Sequence, residues 1–360
     1  MRVLAVTGFS DRPESELFIG LKQKGVDIDV MCSPQALHYR RMIDSSVPVY
    51  DFEARGKVDL TAIKAIRRRL NEHRYDILHG FSNKTVSCAI LAATGLPLKL
   101  VAYRGIVGNV SFFNPGSWMT YLHPRVDRVV CVAEAVRQYF LNMRFAGIGL
   151  RPEKFVTIYK GHNLDWYQAQ PADLKQFGIT TDDFVVGCVA NYRPRKGIHV
   201  LIAAARYLPE RVPIHFLLVG DMESDRLKTQ IRRSPLRDAI HLTGYRADAP
   251  ALMAACDAYV LPALRREGLP KGVIEAMCCG VPPIVTDSGG SPELVLPDQC
   301  GIVVPPADPE AIAGAIMRLY REPARRHQMG SKARERIRDD FRLEDTIEKT
   351  YRLYLQLIEP

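Results

Sequence analysis

The sequence predicts an α/β protein built as two doubly wound, Rossmann-like domains that face each other across a cleft. Three observations predict it. The chain has 360 residues, of which 47% are hydrophobic and 25% charged, too many for one typical core and enough for two. Short β-branched runs alternate with longer amphipathic segments from end to end, the pattern of parallel sheets wrapped by helices. The rhythm breaks once, between Lys160 and Thr181, where Gly161, Asn163, Pro171 and Gly178 interrupt it.

In the first half, strands are expected at Arg2 to Val6, Val26 to Cys32, Tyr75 to Leu78, Leu98 to Tyr103, Asp127 to Val132 and Phe155 to Ile158. Helices between them include Val58 to Asn71, Thr85 to Ala93 and Glu134 to Asn142. The second series places strands near Phe184 to Ala190, Ile214 to Val219, Ala239 to Leu242, Ala258 to Leu261, Val281 to Val285 and Gly301 to Val304. Two charged helices close the chain, Ala324 to Arg338 and Leu343 to Leu357, with Leu, Ile and Tyr on one stripe. The expected domains are thus 1–165, 166–340, and a terminal helix over 341–360 packing back on the first.

Forty-nine Lys and Arg stand against forty Asp and Glu, a formal net charge of +9, which suits phosphate-bearing partners, anionic membrane or nucleic acid. Nucleic acid is not expected, because no recognisable module or aromatic-basic interleaving is present. The eight cysteines lie mostly in apolar runs without CxxC spacing, so reduced thiols in a cytoplasm are expected. The N-terminus carries no signal-peptide core and no run of about 18 apolar residues occurs.

Ligands of doubly wound sheets bind at the carboxyl ends of strands, and the polar motifs cluster there. After the strand ending at Leu261 comes PALRREGLPKGVIEAMCCG, with Glu267 in a loop and Glu275 in the next helix. Gly268, Leu269 and Pro270 form the loop and first turn, leaving backbone N–H groups for an anion or sugar hydroxyl. In GCVANYRPRKGIHVL, Arg193, Arg195 and Lys196 sit at a strand-to-helix junction, where cations and the helix dipole together suit a diphosphate. A third segment, VTDSGGSPELV, offers Gly289 and Gly290 for close backbone approach, Ser291 as a cap and Glu293 in the first turn.

In these segments the sequence resembles the retaining glycosyltransferases of the GT-B fold, the family 4 type whose signature is E-x7-E in this setting. The resemblance implies a role for each residue. Glu267 lies near the hydroxyls of the transferred sugar, and Glu275 holds the ribose hydroxyls of the nucleotide. Lys196 matches the family lysine of the K-G pair that stabilises the leaving diphosphate. The family arginine five residues earlier is Asn191 here, so Arg193 is taken as its substitute, with Arg195 as the alternative. Gly244 and Tyr245 occupy the base-binding region by position, and Gly289 and Gly290 the Gly-rich segment beside the donor. On the acceptor side, Gly8 stands where members have a Gly-Gly loop, and Arg104 with Gly105 stands in place of a His-Gly turn. Arg104 is read as reaching an anionic group or making a structural salt bridge, and His79 as a further candidate.

The implied activity is transfer of a sugar from a UDP- or GDP-linked donor to a glycan or lipid-linked glycan, with retention and with neither metal nor cofactor. A role in bacterial lipopolysaccharide or polysaccharide synthesis follows from the same resemblance. Asp27-Ile28-Asp29 forms the D-x-D of another glycosyltransferase fold, but alternation puts both carboxylates on one face of a strand, and no metal site is expected there. Basic amphipathic stretches, Ile63 to Arg74 and around Arg137 to Arg144, suit anionic lipid, giving a cytoplasmic location with peripheral contact at the inner membrane face. The alternatives are a sugar-nucleotide epimerase of the same fold and a catalytically inactive GT-B subunit.

Overall fold

The computed structural model describes residues 1–222 and 224–359. From the N-terminus the chain runs β1 (Arg2–Val6), α1 (Arg12–Gln23), β2 (Asp27–Cys32), α2 (Tyr39–Asp44), β3 (Val49–Asp51), α3 (Leu60–Glu72), β4 (Ile77–Gly80), α4 (Asn83–Ala92) and β5 (Lys99–Arg104). There follow α5 (Pro115–Trp118), β6 (Arg128–Cys131), α6 (Glu134–Leu141), the two-residue strands β7 (Arg144–Phe145) and β8 (Ile148–Gly149), and β9 (Phe155–Thr157). The second series is β10 (Phe184–Val189), α7 (Ile198–Ala204), β11 (Ile214–Val219), α8 (Asp225–Arg232), β12 (Ile240–Gly244), α9 (Ala249–Ala254), β13 (Ala258–Leu261) and α10 (Lys271–Cys278). It ends with β14 (Pro283–Thr286), α11 (Ser291–Leu294), β15 (Ile302–Val304), α12 (Pro309–Arg321), α13 (Pro323–Asp340) and α14 (Leu343–Ile358).

Contacts divide the chain into two units: Met1–His162 with everything from Phe341 onward, and Asn163–Asp340. The first holds a seven-stranded sheet in the order β3-β2-β1-β4-β5-β6-β9 and the second a six-stranded sheet in the order β12-β11-β10-β13-β14-β15. Strands run parallel in both. Strand order reverses at β1/β4 in one unit and at β10/β13 in the other, so each unit has one switch point. Two doubly wound units were expected, and the architecture is that one.

Side-chain caps account for several helix starts. Asp11 caps α1 by accepting from the Glu14 N–H at 3.0 Å, with Pro13 in the first turn. Asp59 caps α3, and Ser82 with Thr85 forms a capping box on α4. The sequence reading did not name α1 as an element, although Asp11 and Pro13 mark its start. The core of the second unit lies between its sheet and the flanking helices, with Val186, Phe216, Ile284 and Ile316 all buried.

Helix α14 returns to the first unit through polar contacts as well as apolar ones. Thr346 Oγ1 donates to the Tyr159 carbonyl at 2.7 Å and accepts from the Gly161 N–H at 2.7 Å. Tyr354, fully buried, meets His79 at 2.7 Å. Among the described residues, no helix is long and apolar enough to cross a membrane. All eight cysteines are free thiols, seven of them buried.

Three charged segments singled out in the sequence are placed as follows. The Asp27-x-Asp29 pair is held by cations: Arg2 reaches both carboxylates at 3.3 Å, and Asp29 also accepts from Arg69 at 3.1 Å and from the Tyr75 hydroxyl. The Arg67-Arg68-Arg69 run is largely spent inside the unit. Arg69 stacks over Tyr50 at 3.8 Å, Arg67 donates to the Ala92 and Thr94 carbonyls, and Arg68 pairs with Glu72. The basic stretch around Arg137 to Arg144 spans the end of α6 at Leu141, where the expected helix stops, and the start of the β7–β8 hairpin at Arg144.

Candidate functional site

In the second unit the two loops that leave the switch-point strands converge. The loop after β10 carries Arg193 to Lys196, and the loop after β13 carries Glu267. The Glu267 carboxylate is buried, with its side chain 5% exposed, and accepts from Lys196 Nζ at 3.0 Å and from Arg195 at 3.2 Å. One buried carboxylate thus holds two cations, each about a fifth exposed, leaving a net positive charge facing outward. The backbone locks the same contact, because the Leu264 N–H donates to the Arg195 carbonyl at 2.8 Å. Gly197, at φ +69°, lets the chain pass Pro262 so closely that a Cβ would fall 1.8 Å from the Pro262 carbonyl oxygen.

The third segment closes on Glu267 from the other side. Gly289 has φ +59°, and a Cβ there would lie 2.1 Å from the Glu267 carbonyl oxygen. Gly290 N–H donates to that oxygen at 3.3 Å. Ser288 and Ser291 are buried, and neither Oγ has a hydrogen-bond partner. Orphaned buried hydroxyls beside a loop of this kind are polar capacity open to a ligand. Sequence reading treated Ser291 only as a cap and missed Ser288; neither has a sequence signal beyond its place after a strand.

Glu275 lies on α10, its side chain 16% exposed and paired with Lys271 at 3.1 Å. Gly268 and Pro270 are buried and Leu269 half-buried in the turn that starts this helix. Arg193 is exposed, and its backbone carbonyl accepts from the Lys196 N–H at 2.8 Å. The guanidinium brought to Glu267 is therefore that of Arg195. Gly244 ends β12 at φ +68°, accepting from the Gly220 N–H at 2.9 Å, and Tyr245 beside it is 81% exposed.

The first unit gathers a different set at its own switch point. Gly8 follows β1 with open space where a Cβ would point. Beyond it, Lys160 Nζ binds Asp11 at 2.8 Å, lies 3.9 Å from Glu14 and sits over the Tyr103 ring at 5.4 Å. Thr7 donates to Glu14 at 2.5 Å. Burial opposes ionisation of Asp11, yet the ammonium beside it holds its carboxyl below the usual range. Burial pushes Glu14 up to about 7, with Lys160 opposing and the Asp11 charge adding. This group was invisible in the sequence, because Lys160 stands 149 residues from Asp11.

The raised Glu14 value carries a stability prediction. The folded protein keeps a proton that the unfolded chain releases near pH 4.5, so this stabilisation is full below that pH and is lost as pH rises through about 7. Glu14→Gln keeps an acceptor for Thr7 and removes the titration. Between pH 5 and pH 8, wild type is expected to lose on the order of 2 kcal/mol relative to the variant. Urea denaturation at both pH values measures it; parallel curves would refute the assignment.

Arg104 does not point to an anion. It is 2% exposed, donates to the carbonyls of Ile106 at 2.9 Å and of Gly108, and bonds Asn83 at 3.2 Å. It also lies over the Tyr121 ring. The side chain shapes the loop after β5 by satisfying its backbone, a role distinct from both the anionic contact and the salt bridge expected. His79 is 1% exposed, bonded to Tyr354 through Nδ1, with Nε2 unpartnered. Burial alone lowers its pKa to about 3, so it is neutral and part of the packing under α14.

Comparison with known proteins adds to this geometry. Residues 169–336 match the family model described as Glycosyl transferases group 1, and residues 15–166 the model described as Glycosyltransferase Family 4. An Escherichia coli UDP-Gal:alpha-D-GlcNAc-diphosphoundecaprenol alpha-1,3-galactosyltransferase is 25% identical over 316 residues, 83% of this chain and 80% of that protein. A Corynebacterium glutamicum GDP-mannose-dependent monoacylated alpha-(1-6)-phosphatidylinositol monomannoside mannosyltransferase is 32% identical over 234 residues, 60% of each chain. The solved structure of Anabaena Alr3699/HepE in complex with UDP superposes with a TM-score of 0.81 at 23% identity, covering 99% of this chain and 100% of that one. The neighbour's fold is GT-B, and so is this one.

Proposed function

Because the chain belongs to the group 1 glycosyl transferases of GT-B fold, we propose that it moves a sugar from a UDP- or GDP-linked donor to a lipid-linked glycan, with retention and without a metal. That it is a glycosyltransferase using nucleotide sugars follows from the family; the finer terms are our reading. The observation that carries it is the buried Glu267 holding Lys196 and Arg195 at the switch point of the second unit.

Glycosyl transfer breaks the bond between the anomeric carbon and the diphosphate oxygen, so negative charge grows on the leaving phosphate. Lys196 and Arg195 face that charge already oriented by Glu267, and preorganised donors of this kind need no reorganisation as the bond breaks. Arg195 takes the role first given to Arg193, because it is the guanidinium within reach of Glu267. Glu267 holds these cations and meets the sugar hydroxyls, while Glu275 takes the ribose. The Gly289-Gly290 backbone and the hydroxyls of Ser288 and Ser291 supply further contacts to the donor. No carboxylate is assigned as nucleophile, and the leaving phosphate serves as base for the acceptor hydroxyl.

The donor choice draws on the two relatives, one named for UDP-Gal and one as GDP-mannose-dependent. Both names also specify lipid-linked acceptors, which supports placing the acceptor in that class, with the first unit receiving it at the inner face of the cytoplasmic membrane. A thermal-shift screen against UDP-, GDP-, ADP- and CMP-sugars in the presence of a chelator tests the proposal. At a ligand concentration about 100 times its dissociation constant, the matching donor is expected to add about 2.7 kcal/mol of stability. Silence from every nucleotide sugar would overturn it, and stabilisation only when divalent metal is restored would overturn the metal-free mechanism.

A further inference from the structure

Four of the exposed apolar side chains of the first unit gather on one surface. Phe113 is 84% exposed, Ile148 74%, Phe145 52% and Trp118 45%. They belong to two segments, the loop ahead of α5 together with α5 itself, and the β7–β8 hairpin. Phe145 ties the segments together, with its ring centroid 5.8 Å from both Phe112 and Phe113. Trp118 is pinned by its indole N–H, which donates to the Phe112 carbonyl at 2.8 Å. A two-stranded hairpin alone is marginal in water, and this one has every residue exposed. Its turn places Ala146 at φ +49° and Gly147 at φ +81°, which projects Phe145 and Ile148 outward on two adjoining arms.

The charges around these rings have one sign in excess. No charged residue occurs between 106 and 118, and between 142 and 154 Arg144, Arg151 and Lys154 face one acid, Glu153. Arg144 donates only to the Leu141 and Met143 carbonyls, and among the described residues neither Arg144 nor Arg151 pairs with a carboxylate. Lys57 adds a cation at the edge, its Nζ on the Gly116 carbonyl at 3.1 Å. Aromatic rings set among unneutralised arginines match a lipid-water interface, where rings enter the headgroup boundary and cations meet anionic headgroups. A protein partner is less suited, since strands of two residues leave too little edge for pairing and interface cores exclude charge.

We propose that this loop-and-hairpin surface docks the enzyme on anionic phospholipid, so that the hairpin and not the basic helix α3 is the membrane contact. The proposal extends the lipid-linked acceptor reading and is tested apart from it. The full chain is sedimented with phosphatidylglycerol-containing vesicles and with phosphatidylcholine vesicles, while nucleotide-sugar stabilisation is read on the same samples to certify folding. Wild type is expected to bind the anionic vesicles and to be released by raised salt. F113S/F145S is expected to lower partitioning on the order of a hundredfold, and R144E/R151E at least about thirtyfold. K64E/R68E on α3 is expected to bind within about threefold of wild type. In a Trp166→Phe background, Trp118 fluorescence is expected to shift to the blue with anionic vesicles, an observation open even if a double variant folds poorly. Three results would each overturn the proposal: no vesicle binding by wild type, hairpin variants binding as wild type does, or lipid-free self-association that the hairpin variants abolish.

Discussion

Lys196→Ala is expected to lower turnover by about 10²–10³-fold, roughly 3 to 4 kcal/mol of transition-state stabilisation, while the protein remains folded. The size of the effect follows from where the charge sits. Lys196 Nζ is 3.0 Å from a carboxylate that is itself buried, at the mouth of the switch point where a leaving diphosphate would develop its charge. The small cost in stability follows from the same arrangement, since Arg195 still neutralises Glu267 at 3.2 Å after the lysine is removed. Single-turnover kinetics with saturating donor separate the two effects. A fall in kcat with unchanged donor stabilisation places Lys196 on the transition state, whereas near-wild-type turnover removes it from the catalytic machinery. Lys196→Arg is expected to recover only part of the loss, because a planar guanidinium does not reproduce the point charge.

Gly289→Ala is expected to destabilise the protein by on the order of 3 kcal/mol and to weaken nucleotide-sugar binding with it. Two terms combine: a left-handed φ of +59°, which costs an alanine about 1 kcal/mol, and a Cβ set 2.1 Å from the Glu267 carbonyl oxygen, which forces the backbone apart. The second term moves Glu267, and with it both cations. Gly244→Ala provides the comparison, since Gly244 has a similar φ of +68° but open space around its Cβ position. It is expected to lose only about 1 kcal/mol. Urea denaturation of the two variants measures the difference, and equal losses would show that the approach to Glu267 is not what requires Gly289.

The strand-loop-helix rhythm of both units was legible because it is local: apolar periods of 2 and 3.6 are written in consecutive residues. Strand candidates such as Leu98 to Tyr103 fell one residue from the observed Lys99–Arg104, since propensity marks a run but hydrogen bonds to neighbouring strands set its ends. Helix α1 was not named in the sequence, and neither was the β7–β8 hairpin just beyond the helix read over Glu134 to Asn142. In both places the deciding contact is with another element, α14 against α1 and Phe112 against Phe145.

For the candidate donor site, the sequence pointed to the loops after β10 and β13 because glutamates, cations and glycines stand just past apolar runs. It chose Arg193, with Arg195 as the alternative, whereas the fold brings Arg195 to Glu267. Two residues apart in an irregular loop, they differ only in which way the turn at Pro194 directs them. Arg104 shows the opposite case, a guanidinium that sequence read as reaching an anionic group or making a salt bridge and that the fold encloses among backbone carbonyls.

By itself, then, the sequence determined the fold class, the family resemblance and the segments in which polar chemistry is concentrated, since all three reside in short-range patterns of residue type. Tertiary structure alone decided which cations share Glu267, that Lys160 joins Asp11 and Glu14 from 149 residues away, and that the aromatic side chains of two distant loops form one exposed surface. The reason is that burial and pairing depend on strand order. Parallel sheets are assembled from crossovers whose neighbours in space are remote in the chain, and no local pattern encodes those distances.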